Sequence, residues 1–271
     1  MRSRPAKRVL PALATALLTV GVAACGDSAP APEPTPSASV SAPPADQDAR
    51  VALAARAALA EDHRFSAIYT LESRGFAPRS VLATVATDGS WRVDIPAGAL
   101  GGTADVSIAQ LPAGVFQCAI PSATNPVSPS CVRVAEAGKR VPRSYDPKVQ
   151  RVFRQWLPVF TDRQAALSVT AAQPLAGSSG SCFSIDTISA SLSAPVDVGI
   201  YCYADDGLLT AARVKFGTLT IAGAPAAAPA TVDLPGPVTG GEPMGLDAPP
   251  PPPTTEPPAA PSGAAPSAPS A

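Results

Sequence analysis

Few side chains in this sequence have the types and spacing that enzymes use for chemistry. His63 is the only histidine, and it follows a predicted helix, where the helix dipole favours a cationic group. The stretch at residues 177–181 is rich in glycine and serine but lacks the Gly-x-Ser-x-Gly spacing of a nucleophile elbow. Asp205-Asp206-Gly207 matches a tight turn better than a calcium site, which needs six to eight oxygen ligands. The sequence therefore predicts a protein that is not an enzyme and holds no metal or other cofactor.

The five cysteines suggest a different chemistry. Cys25 stands alone near the N-terminus, and the others form two close pairs, Cys118 with Cys131 and Cys182 with Cys202. An even number of cysteines in an exported domain favours two disulfides. Three pairings of the four cysteines are possible, and sequence order favours these two pairs, since each flanks a loop between two strand-like runs. The alternatives are free thiols or a four-cysteine metal site, which no Cys-x-x-Cys spacing supports.

Residues 1–24 have the features of a secretory signal peptide. Residues 1–8 carry four basic and no acidic side chains, and residues 9–21 are apolar apart from two threonines. Small side chains then precede Cys25. The apolar segment is shorter than the about 20 residues of a membrane span. Val22-Ala23-Ala24-Cys25 resembles the lipobox of bacterial lipoproteins, in which the cysteine is acylated and becomes the mature N-terminus. An uncleaved anchor or an ordinary signal peptide is the alternative.

The remaining chain divides by composition into three parts. Residues 25–45, which begin with the lipidated cysteine, and residues 223–271 are rich in proline and alanine, which predicts a disordered tether and a disordered tail. Residues 46–222 between them suit one domain. The formal net charge of −1 provides no basic face for nucleic acid. We therefore expect a lipid-anchored domain on the extracytoplasmic face of the cell membrane, with no nucleic-acid partner. The sequence does not determine its oligomeric state.

Two helices are predicted within the domain. Residues 46–62 are rich in alanine, the best helix former. A second helix is predicted over residues 148–157, with Asp146 as its cap, Pro147 in the first turn and Pro158 at its end. Large apolar side chains recur along the second helix at helical spacing.

Alternating and β-branched runs predict strands through the rest of the domain. They cover residues 65–71, 81–87, 91–95, 103–110, 115–120, 131–134, 165–171, 182–186, 198–203, 208–214 and 216–221. Asp88-Gly89 marks a hairpin turn between the second and third of these runs. Short connections of this kind join antiparallel strands.

The lipobox, the proline-rich tether and this order of elements resemble the LolA-like lipoproteins, and among them the actinobacterial lipid-carrier lipoproteins. The likeness covers residues 46–222. Its local features are the strand at residues 65–71, the hairpin at residues 87–93 and the stretch Tyr201-Cys202-Tyr203 with the turn that follows it. The resemblance implies an α+β fold, in which a curved antiparallel half-barrel sheet carries two main helices on its concave side.

Two functions remain open at this point. The resemblance implies an apolar cavity between sheet and helices that binds or carries a lipid or another amphiphile. The candidate lining residues are aromatic: Phe65, Tyr69, Trp91, Phe153 and Trp156. The same residues equally suit a filled core, because pockets and cores have similar compositions. The alternative is therefore an anchored interaction module that contacts the cell wall or a partner protein.

Overall fold

The computed structural model describes residues 45–123, 125–188 and 194–248. The predicted signal peptide, Cys25 with its tether up to residue 44, and the last part of the predicted tail, residues 249–271, lie outside the described residues.

The described residues form two α-helices, three short 3₁₀ helices and eleven strands. The α-helices are α1 (Ala45–Asp62) and α2 (Leu157–Thr161). The 3₁₀ helices are Leu100–Gly102, Arg143–Tyr145 and Val149–Phe153. The strands are β1 (Phe65–Glu72), β2 (Arg79–Val85), β3 (Trp91–Ala99), β4 (Ala104–Leu111), β5 (Gly114–Ile120), β6 (Ser130–Ala135), β7 (Leu167–Ala172), β8 (Ser181–Thr187), β9 (Gly199–Tyr203), β10 (Leu209–Val214) and β11 (Gly217–Ile221).

All eleven strands lie in one open antiparallel sheet, in the order β6-β5-β4-β3-β2-β1-β11-β10-β9-β8-β7. Strands β1 to β6 and strands β7 to β11 each pair with their neighbours along the chain, as short hairpin connections allow. The two halves join where β1 pairs with β11, with Tyr69 opposite Ile221. The prediction of an antiparallel sheet accompanied by helices is confirmed at this level.

One face of the sheet holds the main core. In β1, the first, third, fifth and seventh side chains are buried, as the alternation of the sequence predicts: Phe65, Ala67, Tyr69 and Leu71. Ile68, on the opposite face, is 53% exposed. The core face of β2 and β3 continues this layer with Val81, Val93 and Ile95.

Helix α1 packs against α2 and β7. Its buried residues form one stripe at spacings of three and four: Ala49, Leu53, Ala57 and Ala60. Arg50 ties the helix to the chain before β7, because its guanidinium donates to the backbone oxygens of Asp162 at 2.7 Å and Leu167 at 3.1 Å. The predicted first helix is therefore present, and its first residue is Ala45.

The prediction of a continuous second helix over residues 148–157 is wrong. The chain instead forms the 3₁₀ helix Val149–Phe153 and then the short helix α2. Lys148 has a left-handed backbone with φ of 66°, so no helix extends back to the predicted cap. Pro158 lies in the first turn of α2, where its missing N–H is not needed, and it begins a helix rather than ending one. The large side chains of this region remain buried: Val152, Phe153, Trp156, Leu157 and Phe160.

The four domain cysteines lie in two pairs at disulfide distance. The Sγ atoms of Cys118 and Cys131 are 2.10 Å apart, and those of Cys182 and Cys202 are 2.02 Å apart. Each pair joins directly opposite positions on adjacent strands. Both disulfides lie on the face opposite the main core. Cys202 lies between two residues of that core along β9, and successive side chains of a strand point to opposite faces. Cys118 pairs with Ser107 of β4, which likewise lies between two core residues. The favoured cysteine pairing is thereby confirmed.

Residues 223–248, which we call the C-terminal strap, pack on the sheet. Near its start, Ser66 and Ala226 exchange two backbone hydrogen bonds of 3.1 and 2.7 Å. The carbonyl oxygen of Pro229 then accepts from the backbone N–H of Thr87 at 3.0 Å. Proline lacks a donor but keeps its acceptor, so a proline-rich segment can still bind an edge or a turn. The packed part of the chain therefore continues beyond Ala222, where the sequence places the end of the domain.

The strap then reaches the edge strand β6 and continues to the core face. Val232 of the strap is buried, and the carbonyl of Pro237 accepts from the backbone N–H of Cys131 at 2.8 Å. The backbone of Met244 bonds both ends of the Gln117 amide, at 2.6 and 2.9 Å. Gln117 is only 2% exposed. The strap thus covers the edge of the sheet, which would otherwise present unpaired backbone groups, and satisfies a buried amide.

Candidate functional site

A cavity with a volume of about 320 Å³ lies at one end of the core. Seven separate segments meet there: the ends of β1 and β3, the start of β2, the β10–β11 turn, the loop before the 3₁₀ helix Val149–Phe153, the loop before β9, and the strap. Its apolar wall is formed by Leu71, Ile95, Val149, Phe216 and Leu246. The first three belong to the main core, so the cavity opens directly onto the packed interior.

Charged side chains line the same cavity. Asp146 is 2% exposed and is held by donors from its own loop, the backbone N–H of Lys148 at 2.8 Å and the amide of Gln150 at 2.7 Å. Its carboxylate also pairs with the guanidinium of Arg151. The Nζ of Lys148 lies 3.4 Å from one carboxylate oxygen of Asp197, whose other oxygen is buried without a hydrogen-bond partner.

Arg79, at the start of β2, is a second cation of this lining. Its guanidinium donates to the Pro96 carbonyl at 3.0 Å and to the Ser73 hydroxyl at 2.9 Å, and it lies 4.5 Å from the centre of the Phe76 ring. Burial lowers the pKa of Arg79, and the negative charge of Asp105 partly offsets this effect. The guanidinium of arginine stays protonated in proteins, so Arg79 brings a permanent positive charge to the cavity.

Lys215 is the third cation. It lies in the turn between β10 and β11 and is exposed. Within the described ranges, its ammonium forms no ion pair and no hydrogen bond. Exposed lysines can keep the ammonium in water while the aliphatic stem covers apolar surface. This position places an uncompensated positive charge at the rim of an apolar cavity.

The five aromatic residues predicted to line a pocket all lie in the main core instead: Phe65, Tyr69, Trp91, Phe153 and Trp156. The rings of Tyr69 and Phe153 are 4.9 Å apart, and the hydroxyl of Tyr69 donates to the Leu209 carbonyl at 2.9 Å. Burial raises the pKa of the Tyr69 hydroxyl. None of the five lines the cavity, which borders on their neighbours Leu71 and Val149.

Sequence reasoning missed the cavity residues because they come from strand ends and loops. Leu71, Ile95 and Val149 do belong to periodic patterns of the sequence, but those patterns predict burial and not a cavity. Positive charges at the ends of two hairpins, at Arg79 and Lys215, are visible in the sequence but carry no spacing that joins them.

A smaller cavity of about 230 Å³ lies between the opposite face of the sheet and the strap. Its ionisable strand residues already form a pair, since Arg92 binds Asp94 through two hydrogen bonds of 2.7 and 2.8 Å. Arg92 also donates to the Asp233 carbonyl of the strap at 3.2 Å. This cavity therefore helps to hold the strap and is a weaker candidate site.

The candidate catalytic and metal-binding residues Asp205 and Asp206 belong to the turn between β9 and β10, and His63 lies close to it. The Asp206 carboxylate accepts from the backbone N–H of Leu208 at 3.0 Å and lies 4.0 Å from His63 Nδ1. Asp205 pairs with Arg56 at 2.6 Å. Across the described ranges, no group of three or more histidine, cysteine, aspartate or glutamate side chains is arranged to hold a metal ion.

Comparison with known proteins assigns no family to the chain. No protein-family model matches the sequence, and no curated protein matches it. In the part of the chain that the structure describes, no helix has the length and apolar character needed to cross a membrane.

Proposed function

We propose that this protein is a lipid-anchored lipoprotein of the cell envelope that binds an amphiphile without catalysing a reaction. The observation that carries the proposal is the 320 Å³ cavity, whose apolar wall is continuous with the core. The proposed anchor is an acylated Cys25 on the extracytoplasmic face of the cell membrane. The open sheet with its helices supports the LolA-like half-barrel, in which the helices would lie on the concave side.

The size of the cavity sets the class of amphiphile. Ligand pockets of proteins measure about 300–1,000 Å³, so this cavity is at the small end of the range. The aromatic residues that would line a larger chamber are buried in the main core. We therefore propose a ligand with one alkyl chain, which gains about 0.8 kcal/mol for each methylene that it buries.

Binding of a neutral apolar fluorophore tests the cavity. We expect the chain from Gly26 to Ala271, which lacks the proposed acylated Cys25, to bind N-phenyl-1-naphthylamine saturably at one site, with a rise in fluorescence. Leu246 lines the cavity, so Leu246→Trp fills it and is expected to weaken binding about tenfold, or 1.4 kcal/mol. Val238→Trp is the matched control, because Val238 belongs to the same strap and is 54% exposed. No saturable binding, or equal binding by both variants, would contradict the proposal.

Metabolic labelling tests the anchor. We expect radioactive palmitate to label the full chain expressed in an actinobacterial host and to leave the Cys25→Ala variant unlabelled, because the thiol of Cys25 accepts the acyl chain. An immunoblot confirms that both proteins are present. Label retained by the variant would place the lipid elsewhere, and an unlabelled wild-type chain would remove the anchor from the proposal.

A second candidate function is an anchored interaction module that contacts the cell wall or a partner protein. The observation that favours it is an exposed apolar pair on the face opposite the main core. Ile68 of β1 and Leu82 of β2 lie directly opposite each other and are 53% and 38% exposed. A chain that binds no fluorophore would favour this second function.

A further inference from the structure

When the charged groups that already form ion pairs are left out, the lining of the larger cavity carries an excess of positive charge. Asp146 is satisfied by its loop and by Arg151, and Lys148 pairs with Asp197. The two lining groups that remain without a carboxylate partner in the described structure are both cations, Arg79 and Lys215.

Neither cation is neutralised by another part of the described chain. Arg79 bonds only neutral acceptors, namely two backbone carbonyls and a serine hydroxyl, and its Nε is buried without a hydrogen-bond partner. Asp105 influences Arg79 electrostatically, but its carboxylate accepts the backbone N–H of Ala97 at 2.7 Å and forms no ion pair with Arg79. A buried donor without a partner is costly, so the chain itself leaves Arg79 only partly satisfied.

The positions of the charges and of the apolar wall define one orientation for a ligand. Lys215 is exposed at the rim, next to Phe216, while Leu71, Ile95 and Val149 form the inner wall. A charged head group placed at the rim stays hydrated, and the alkyl chain replaces water in the interior. This arrangement avoids the large cost of burying a charge.

We infer that the cavity selects an anionic amphiphile with one alkyl chain, whose carboxylate or phosphate binds at Lys215 and Arg79 while its chain lies along Leu71, Ile95 and Val149. This inference rests on the proposed function, since it specifies the head group of the ligand in the same cavity. Carboxylate and phosphate share the property that matters here, a compact anion with several acceptor oxygens.

Calorimetric titration with four dodecyl amphiphiles below their critical micelle concentrations tests the inference. The four probes are dodecanoate, dodecyl phosphate, dodecyl maltoside and dodecyltrimethylammonium, titrated into the chain from Gly26 to Ala271, which lacks the proposed acylated Cys25. We expect the two anions to bind about tenfold more tightly than the neutral maltoside, and the cation to bind most weakly. Added salt should reduce this preference, because the rim is exposed.

Charge reversal at Lys215 tests whether this residue causes the preference for anionic amphiphiles. Lys215→Glu is expected to weaken dodecyl phosphate binding about tenfold and to leave maltoside binding unchanged. Lys139→Glu is the matched control, because Lys139 is an exposed lysine outside the cavity and carries the same charge change. Lys215 is preferred over Arg79 as the test site, because Arg79 also ties β2 to the end of β3.

The outcomes separate the inference from the proposed function. Equal binding of all four amphiphiles, or tightest binding of the cation, would overturn the anionic selectivity while leaving the proposed amphiphile binding intact. Binding of none of the four would overturn both. An equal loss for Lys215→Glu and Lys139→Glu would show that net charge, not the rim of the cavity, sets the preference, and would also overturn the inference.

Discussion

Removal of the C-terminal strap is expected to lower the free energy of unfolding by about 3–6 kcal/mol. Loss of the strap removes the burial of Val232 against the face opposite the main core, which is worth about 1.5–3 kcal/mol for a buried aliphatic side chain. It also leaves the buried amide of Gln117 without Met244, at a cost of about 1–3 kcal/mol. The edge strand β6 loses its backbone partners at residues 237–239 as well.

Two truncations measure this effect by urea denaturation followed by tryptophan fluorescence. One mature chain ends at Ala222, where the sequence alone places the domain end, and the other ends at Ala248, which keeps every described contact of the strap. The shorter chain should unfold at a clearly lower urea concentration than the longer one. Equal midpoints for the two chains would show that the strap adds nothing to stability and would contradict the packing described.

Trp156→Ala is expected to lower the free energy of unfolding by about 3–5 kcal/mol. Trp156 is 1% exposed and packs edge-on against Tyr201, with ring centres 6.0 Å apart. Its removal leaves a cavity in the region where the 3₁₀ helix, α2 and β9 meet. Among the described residues the indole N–H has no hydrogen-bond partner, so the expected loss comes from packing rather than from a broken hydrogen bond.

A conservative variant at the same position distinguishes whether Trp156 is a core residue or a pocket residue. Trp156→Phe keeps most of the ring and is the control, with an expected cost of about 1–2 kcal/mol. If Trp156 is core, Trp156→Phe should bind N-phenyl-1-naphthylamine with the affinity of the wild-type chain under native conditions. A selective loss of fluorophore affinity with little change in stability would instead return Trp156 to the ligand site.

Much of the architecture follows from patterns that are local in the sequence. The alternation of β1 predicted which of its side chains are buried, because successive residues of a strand point to opposite faces. The alanine-rich stretch predicted α1, and turn residues predicted the hairpins. The order of the cysteines also favoured the observed pairing, since adjacent antiparallel strands bring neighbouring runs together.

The second helix shows where local patterns mislead. Its apolar spacing predicts a buried surface, and these side chains are buried, yet that surface is built from a 3₁₀ helix, a turn and α2. The sequence places Pro158 at the end of a helix, although proline fits equally well in the first turn of one. Spacing of apolar residues predicts burial more reliably than it predicts one continuous helix.

Only the tertiary structure determined the strap and the cavity. Composition predicted disorder from residue 223 onward, because proline, alanine and glycine bury little surface on their own. The strap is held by partners more than 100 residues away in sequence, such as Gln117, which no local pattern encodes. The cavity likewise forms where strand ends, a turn, two loops and the strap converge. By itself, therefore, the sequence determined the elements that repeat with a period, whereas contacts between distant, aperiodic segments determined the candidate site.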